Sequence, residues 1–155
     1  SRFLWAFPAP TDPANSSVRQ DIIAACGVAE RTTGVMTKCD LVKEDQGKSP
    51  RDLINEKLRA LQTGAPTLGG RWIAVVNACS LKEATAAWES AGRPEGEFPR
   101  FKRDNTLERE KSTFACIRRG TDNSRSAQMD PIDMIPVGSH AMQQHVQMVI
   151  DGHAA

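Results

Sequence analysis

The sequence predicts an α/β fold, a parallel sheet flanked by helices. Strand-like and helical runs alternate from the start, at 3–7, 18–26, 31–36, 52–61, 72–76 and 81–91. That order is the signature of parallel strands joined by right-handed crossovers. Polar residues follow directly on the second and third strand-like runs, where open α/β sheets place their ligands.

Each element has its own reason. Phe3-Leu4-Trp5-Ala6-Phe7 is short, apolar and aromatic, and Pro8 and Pro10 close it, which favours a strand over a helix. Asn15-Ser16-Ser17 is an N-cap signal. It opens 18–26, where Val18, Ile22, Ile23 and Cys26 share one helical face before Gly27. Residues 31–36 are strand-like and run into Thr37-Lys38-Cys39-Asp40. A loop at 46–50 leads to 52–61, which holds Leu53, Ile54, Lys57, Leu58 and Leu61 in helical register. A loop with Gly64, Pro66, Gly69 and Gly70 precedes Trp72-Ile73-Ala74-Val75-Val76, the clearest strand. Residues 81–91 are helical. From 92 to 133 the pattern weakens, and no regular structure is expected at 120–128. Residues 139–151 read as a closing helix with Ala141, His145, Met148 and Val149 on one face, Met142 and Val146 beside it.

The 155 residues suffice for one domain with a core, and the hydrophobic 39% and charged 25% are ordinary for a globular chain. Twenty Lys and Arg against 19 Asp and Glu leave a net charge of +1, so no pull toward nucleic acid is expected. Arg100, Lys102, Arg103, Arg109, Lys111, Arg118 and Arg119 are interleaved with acids and read as a solvated face. No apolar run approaches the roughly 18 residues of a spanning helix. No leader peptide is visible at Ser1-Arg2-Phe3, and the chain reads as cut from something longer and cytoplasmic. Cys26, Cys39, Cys79 and Cys116 form no Cys-x-x-Cys pair and lie far from His140, His145 and His153, so reduced thiols and no metal site are expected.

The chemistry concentrates in two strand ends. Taken alone, Thr37-Lys38-Cys39-Asp40 also reads as a polar loop with Asp40 as a cap and Lys38 solvated. Guanine, however, presents two donors on one edge, N1–H and the N2 amine, and a single carboxylate accepts both. Adenine has the opposite polarity there, so a carboxylate in a dry pocket rejects it. A lysine stem can lie along a purine face while its ammonium stays wet. The next strand ends in Val75-Val76-Asn77-Ala78-Cys79, which can offer backbone N–H groups to the base O6.

Three stretches together resemble the dynamin family of large GTPases: Phe7-Pro8-Ala9-Pro10-Thr11-Asp12-Pro13-Ala14-Asn15-Ser16, Arg31-Thr32-Thr33-Gly34-Val35-Met36-Thr37-Lys38-Cys39-Asp40-Leu41, and Ala74-Val75-Val76-Asn77. The likeness is firm at 3–41 and 73–77 and faint at 137–153, where it is similar to the helix closing that family's GTPase domain. It implies a partial P-loop-NTPase-like sheet whose N-terminal strands are missing. It further implies that Lys38 and Asp40 read the guanine, that Thr37 braces their loop, and that Asn77, Ala78 and Cys79 form the second base-contacting loop. Asp12 matches the acidic residue of a loop that reaches across a GTPase-domain dimer; by its residue type Asp12 or Asn15 could equally cap the next helix. Ala78-Cys79-Ser80 stands where the family has Arg-Ser-Gln, which removes a side-chain contact to the nucleotide.

The chain has no Gly-x-x-x-x-Gly-Lys-Ser/Thr and no Asp-x-Pro-Gly. Phosphoryl transfer is almost entirely positioning of phosphate, Mg²⁺ and water. The resemblance therefore implies GTP or GDP as ligand and Mg²⁺ only in an intact parent. That parent would hydrolyse GTP to remodel membranes, dimerise through its GTPase domain, and reach membranes through regions absent here. The alternative is a catalytically inactive GTPase-like binding or scaffold module.

Overall fold

The computed structural model describes residues 1–13, 17–64, 67–69, 71–77, 80–119 and 130–154. Three strands, β1 (Phe3–Pro8), β2 (Thr32–Thr37) and β3 (Trp72–Ala74), pair in the order β1-β2-β3, both pairings parallel. Phe3 lies opposite Thr32, Pro8 opposite Thr37, and Gly34 opposite Trp72. The parallel α/β architecture expected from the alternating pattern is therefore present. β2 starts and ends one residue later than the sequence pattern suggests, and β3 stops at Ala74. Beyond β3, the Ala74 N–H donates to the Pro136 carbonyl at 3.1 Å and Val137 forms an isolated parallel bridge.

Burial explains the sheet's composition. Thr32, Thr33, Gly34, Val35 and Met36 are all buried, as expected for a parallel strand covered on both faces. β1 is covered on one face only. Trp5 and Phe7 enter the core, whereas Leu4 is 52% exposed and Phe3 is also exposed. Among the described residues β1 pairs only with β2, so it is an edge.

The first crossover departs from expectation. The spacing over 18–26 predicts an α-helix with Val18, Ile22, Ile23 and Cys26 on one face, but Arg19–Ala24 winds as a π-helix. The wider turn brings residues five apart into line. Val18 and Ile23, five apart, accordingly pack toward the core, while Ile22 is 55% exposed and Cys26 is exposed; Val28 joins the core after the left-handed turn at Gly27. Asn15 and Ser16 of the capping signal lie outside the described residues, and Val18, which heads the turn, provides no side-chain cap.

The second crossover follows its sequence closely. α1 (Pro50–Thr63) begins with Pro at its first position and a reciprocal Ser49–Asp52 capping box, and buries Ile54, Leu58 and Leu61. Asn55 is also buried, and its Oδ1 accepts the Ile132 N–H at 3.0 Å. α2 (Leu81–Ser90) opens with a second capping box, Ser80 with Glu83.

Regular structure also fills much of the stretch whose pattern was weak. α3 (Phe98–Arg119) is a 22-residue helix, and α4 (Pro131–Met134) is a short turn burying Ile132. α3 hides from pattern recognition because it is polar around most of its circumference and anchors chiefly through Phe114 and Ile117 near its end. Trp88 and Phe98 meet edge-to-face at 5.8 Å where α2 and α3 join. Arg100 pairs with Glu97 and Asp104, and Arg103 with Asp104, all exposed as expected of a solvated face, but Arg109 departs from that expectation: it is 27% exposed and turned toward Asp40 and Glu83. The irregular segment expected at 120–128 lies outside the described residues. α5 (Gly138–Ala154) half-buries Ala141, Met142, His145 and Val149, but Met148, expected on that face, points outward and is exposed.

Arg51 binds the helices together. Its guanidinium donates to the Ile117 and Arg118 carbonyls at 3.1 Å each, closing the C-terminal end of α3. It also holds Asp130 and Asp133 at 2.7 Å each. This hydrogen-bonded pairing holds the Asp133 carboxyl below the usual carboxylate range. Among the described residues no helix is long and apolar enough to cross a membrane.

Two outcomes follow from the sheet. A Cβ on Gly34 would fall 2.5 Å from the Trp72 ring, so Gly34→Ala should cost about 1–3 kcal/mol in urea unfolding by overpacking. A bare edge with Leu4 on its open face is a pairing template. Light scattering should detect self-association of the chain, and Leu4→Lys should suppress it without unfolding; a monomer at high concentration would refute this.

Candidate functional site

The two strand ends singled out from the sequence converge. Parallel pairing makes β2 and β3 finish on the same edge of the sheet, and the ladder continues past them. The Val75 N–H donates to the Met36 carbonyl at 2.8 Å, and the Cys39 N–H donates to the Val75 carbonyl at 3.3 Å. Thr37, half-buried at the end of β2, accepts the Ala9 N–H through its carbonyl at 2.8 Å. That bond ties the site to the proline-containing loop after β1.

Lys38 then turns the chain. Its φ of 58° is left-handed, a conformation costing a non-glycine residue roughly 1–2 kcal/mol. The bend starts a tight 3-10 turn at Cys39–Leu41 and leaves Lys38 exposed, its ammonium without a hydrogen-bond or ion-pair partner among the described residues. Cys39 points inward, fully buried, its thiol directed at the Met36 carbonyl at 3.6 Å. Burial first, and then the neighbouring Asp40 charge, push this thiol up to about 12, with the Val75 backbone bond opposing.

Asp40 joins the two loops. Its Oδ1 accepts the Asn77 N–H at 3.0 Å, across a sequence separation of 37 residues. Its Oδ2 lies 3.8 Å from Arg109 Nη1, within ion-pair range but too far for a hydrogen bond, so that oxygen keeps acceptor capacity. The Asp40 side chain is 10% exposed. Arg109 reaches in from α3, and its other guanidinium nitrogen contacts Glu83 Oε1. Glu83 is the capping residue of α2: its Oε2 accepts the Ser80 N–H at 2.8 Å. The capping bonds from Ser80 come first, and Arg109 adds to them, in holding the Glu83 carboxyl below its usual range. Ala78 and Cys79, between Asn77 and Ser80, lie outside the described residues.

Asp12 sits elsewhere. It lines an open groove of about 630 Å³ with Pro10, Leu41, Val42 and Lys57, and none of Thr37, Lys38, Asp40 or Asn77 lines that groove. Burial lowers the Lys57 ammonium below its ordinary range while the Asp12 charge opposes the shift, and Lys57 donates to the Ala9 carbonyl. Asp12 thus faces α1 across the groove. Among the described residues no group of three His, Cys, Asp or Glu is arranged to hold a metal ion.

The structure therefore unites Thr37, Lys38, Asp40 and Asn77 and leaves Asp12 on a neighbouring face. Sequence reasoning missed Arg109 and Glu83. The Ser80-x-x-Glu83 spacing was readable as a capping box; nothing distinguished Arg109 from six other basic residues in an acid-laced stretch. The chain matches no protein-family profile, no curated protein and no solved structure.

The buried loop thiol makes a direct prediction. A thiol held near 12 stays protonated and shielded at pH 8, so Cys39 should resist alkylation in the folded chain while exposed Cys26 and Cys116 react. Peptide mapping after iodoacetamide treatment, with and without urea, measures this. Because the folded value is raised, the thiol's contribution to stability should be intact below 9.0 and be lost as pH climbs toward about 12.

Proposed function

We propose that this chain is the guanine-reading part of a dynamin-like GTPase. The observation that carries the reading is the bond from the Asn77 N–H to Asp40. It makes one unit of the two loops whose residues resemble that family's base-binding elements. In this reading the Asp40 carboxylate accepts N1–H and the N2 amine of guanine, one on each oxygen, Oδ1 using the lone pair left beside its Asn77 bond. The Lys38 stem lies along the purine face, its ammonium in water. Thr37 braces the turn through the Ala9 bond, Asn77 ties its loop to Asp40, and Ala78 and Cys79, next in sequence, would supply N–H groups to O6. The sheet would then be part of a P-loop-NTPase-like fold. GTP hydrolysis would belong to an intact parent that supplies a phosphate loop and Mg²⁺ ligands; no described residue is assigned to Mg²⁺. Membrane remodelling, and dimerisation through a GTPase domain with Asp12 at the contact, would be properties of that parent.

One observation favours a second reading, a catalytically inactive GTPase-like scaffold module in which Asp40 ties loops together and reads no base. Asp40 already has an Asn77 N–H and a nearby guanidinium, which satisfies its charge without a nucleotide. The two readings differ in base selectivity.

Titration with GDP, ADP and XDP separates them. GDP should bind selectively but weakly, with a dissociation constant above about 1 μM, because most nucleotide affinity comes from phosphate contacts this chain does not supply. Asp40→Asn should lower GDP affinity and turn preference toward XDP, since the amide donates where xanthine accepts. Equal binding of ADP, or an unchanged GDP-to-XDP ratio in the variant, would remove the guanine reading.

A further inference from the structure

We infer that Arg109 and Glu83 set the base affinity of this site by acting as a charge exchange around Asp40, an inference that rests on the guanine reading above. Three geometric facts carry it. Asp40 has one oxygen committed to the Asn77 N–H and the other facing Arg109 at a non-bonding 3.8 Å. Arg109 is shared, contacting Glu83 with its second nitrogen. Glu83 is itself fixed in place by the capping box at the start of α2. The guanidinium therefore has a firm partner on α2 and a looser one at the site.

A base that donates two hydrogen bonds to Asp40 needs the oxygen that Arg109 faces. Arg109 attracts that carboxylate and competes for its lone pairs, so it lowers affinity for a neutral donor edge. Glu83 works in the opposite direction. It draws the guanidinium toward α2, neutralises part of its field, and so frees Asp40 for the base. The same exchange makes α2 and α3, neither of which contacts the base in this reading, sensitive to whether the base is present.

The signature is a pair of substitutions with opposite signs. Guanosine is the probe, because it carries no phosphate for Arg109 to attract. By NMR titration, Arg109→Gln should bind guanosine roughly two- to fivefold tighter than the parent chain, the scale of a partly exposed ion pair. Glu83→Gln should bind it more weakly by a similar factor, while its glutamine retains the cap on α2. A merely structural role would weaken binding in both variants, and that result would overturn the inference. So would weaker binding in Arg109→Gln alone, which would mark Arg109 as a direct base contact.

A second arm needs no nucleotide. In urea unfolding, the Asp40→Asn, Arg109→Gln double variant should have a higher midpoint than the two single shifts predict by addition. Strict additivity would overturn the pairing whatever guanosine does. Coupling without guanosine binding in any variant would fail the guanine reading separately, and would overturn the exchange by reducing it to a fixed ion pair.

Discussion

Everything about this fold depends on β2 having a parallel neighbour on each side. The connections that such parallel neighbours require pack over the faces of the sheet, which accounts for the unbroken burial from Thr32 to Met36. It also forbids tight hairpins: each return to the sheet must cross over, and the π-wound turn and α1 are the material of those crossings. At Gly34 on β2 the Trp72 ring of β3 occupies the space of a side chain, so the packing of these two strands depends on a glycine there. Because neighbours run the same way, their loops leave at one edge, and the Asp40–Asn77 bond is the product of that geometry.

Electrostatics at this edge is arranged in series. Asp40 faces Arg109, Arg109 touches Glu83, and Glu83 receives the Ser80 N–H at the helix start. Each charged group has an opposite partner, so the loop after β3 is gripped at Asn77 and again at Ser80. Lys38 is the exception, projected outward by its left-handed backbone.

Much of this was legible in the sequence, for identifiable reasons. Strands declared themselves through short aromatic or β-branched runs stopped by Pro8 or followed by polar residues. α1 announced itself by apolar spacing and by Ser49-Pro50. The closeness of Thr37, Lys38, Asp40 and Asn77 was legible because motif position on a parallel sheet implies proximity. What escaped was non-local or off-period. The five-residue spacing of Val18 and Ile23 does not look like an α-helix, and assuming 3.6 residues per turn misassigns Ile22. α3 escaped because a mostly polar helix has little amphipathic signal, its existence resting on docking at Phe114 and Ile117. Asn55 and Arg109 acquire meaning only from partners 77 residues and 69 residues away in sequence (Arg109 and Asp40 differ by 109 − 40).

The Arg51 fork has a consequence for how the chain reaches its native state. Its partners lie 66 to 82 residues further along, on α3 and around α4. A nascent chain that has just completed α1 therefore holds a partly shielded guanidinium whose acceptors have yet to be synthesised. Closing so long a loop is slow relative to forming a helix, because the entropy of bringing distant segments together comes before the contacts that reward it. α1 is therefore expected to form before the contacts that fix Arg51, with its locking waiting on two aspartates some eighty residues downstream.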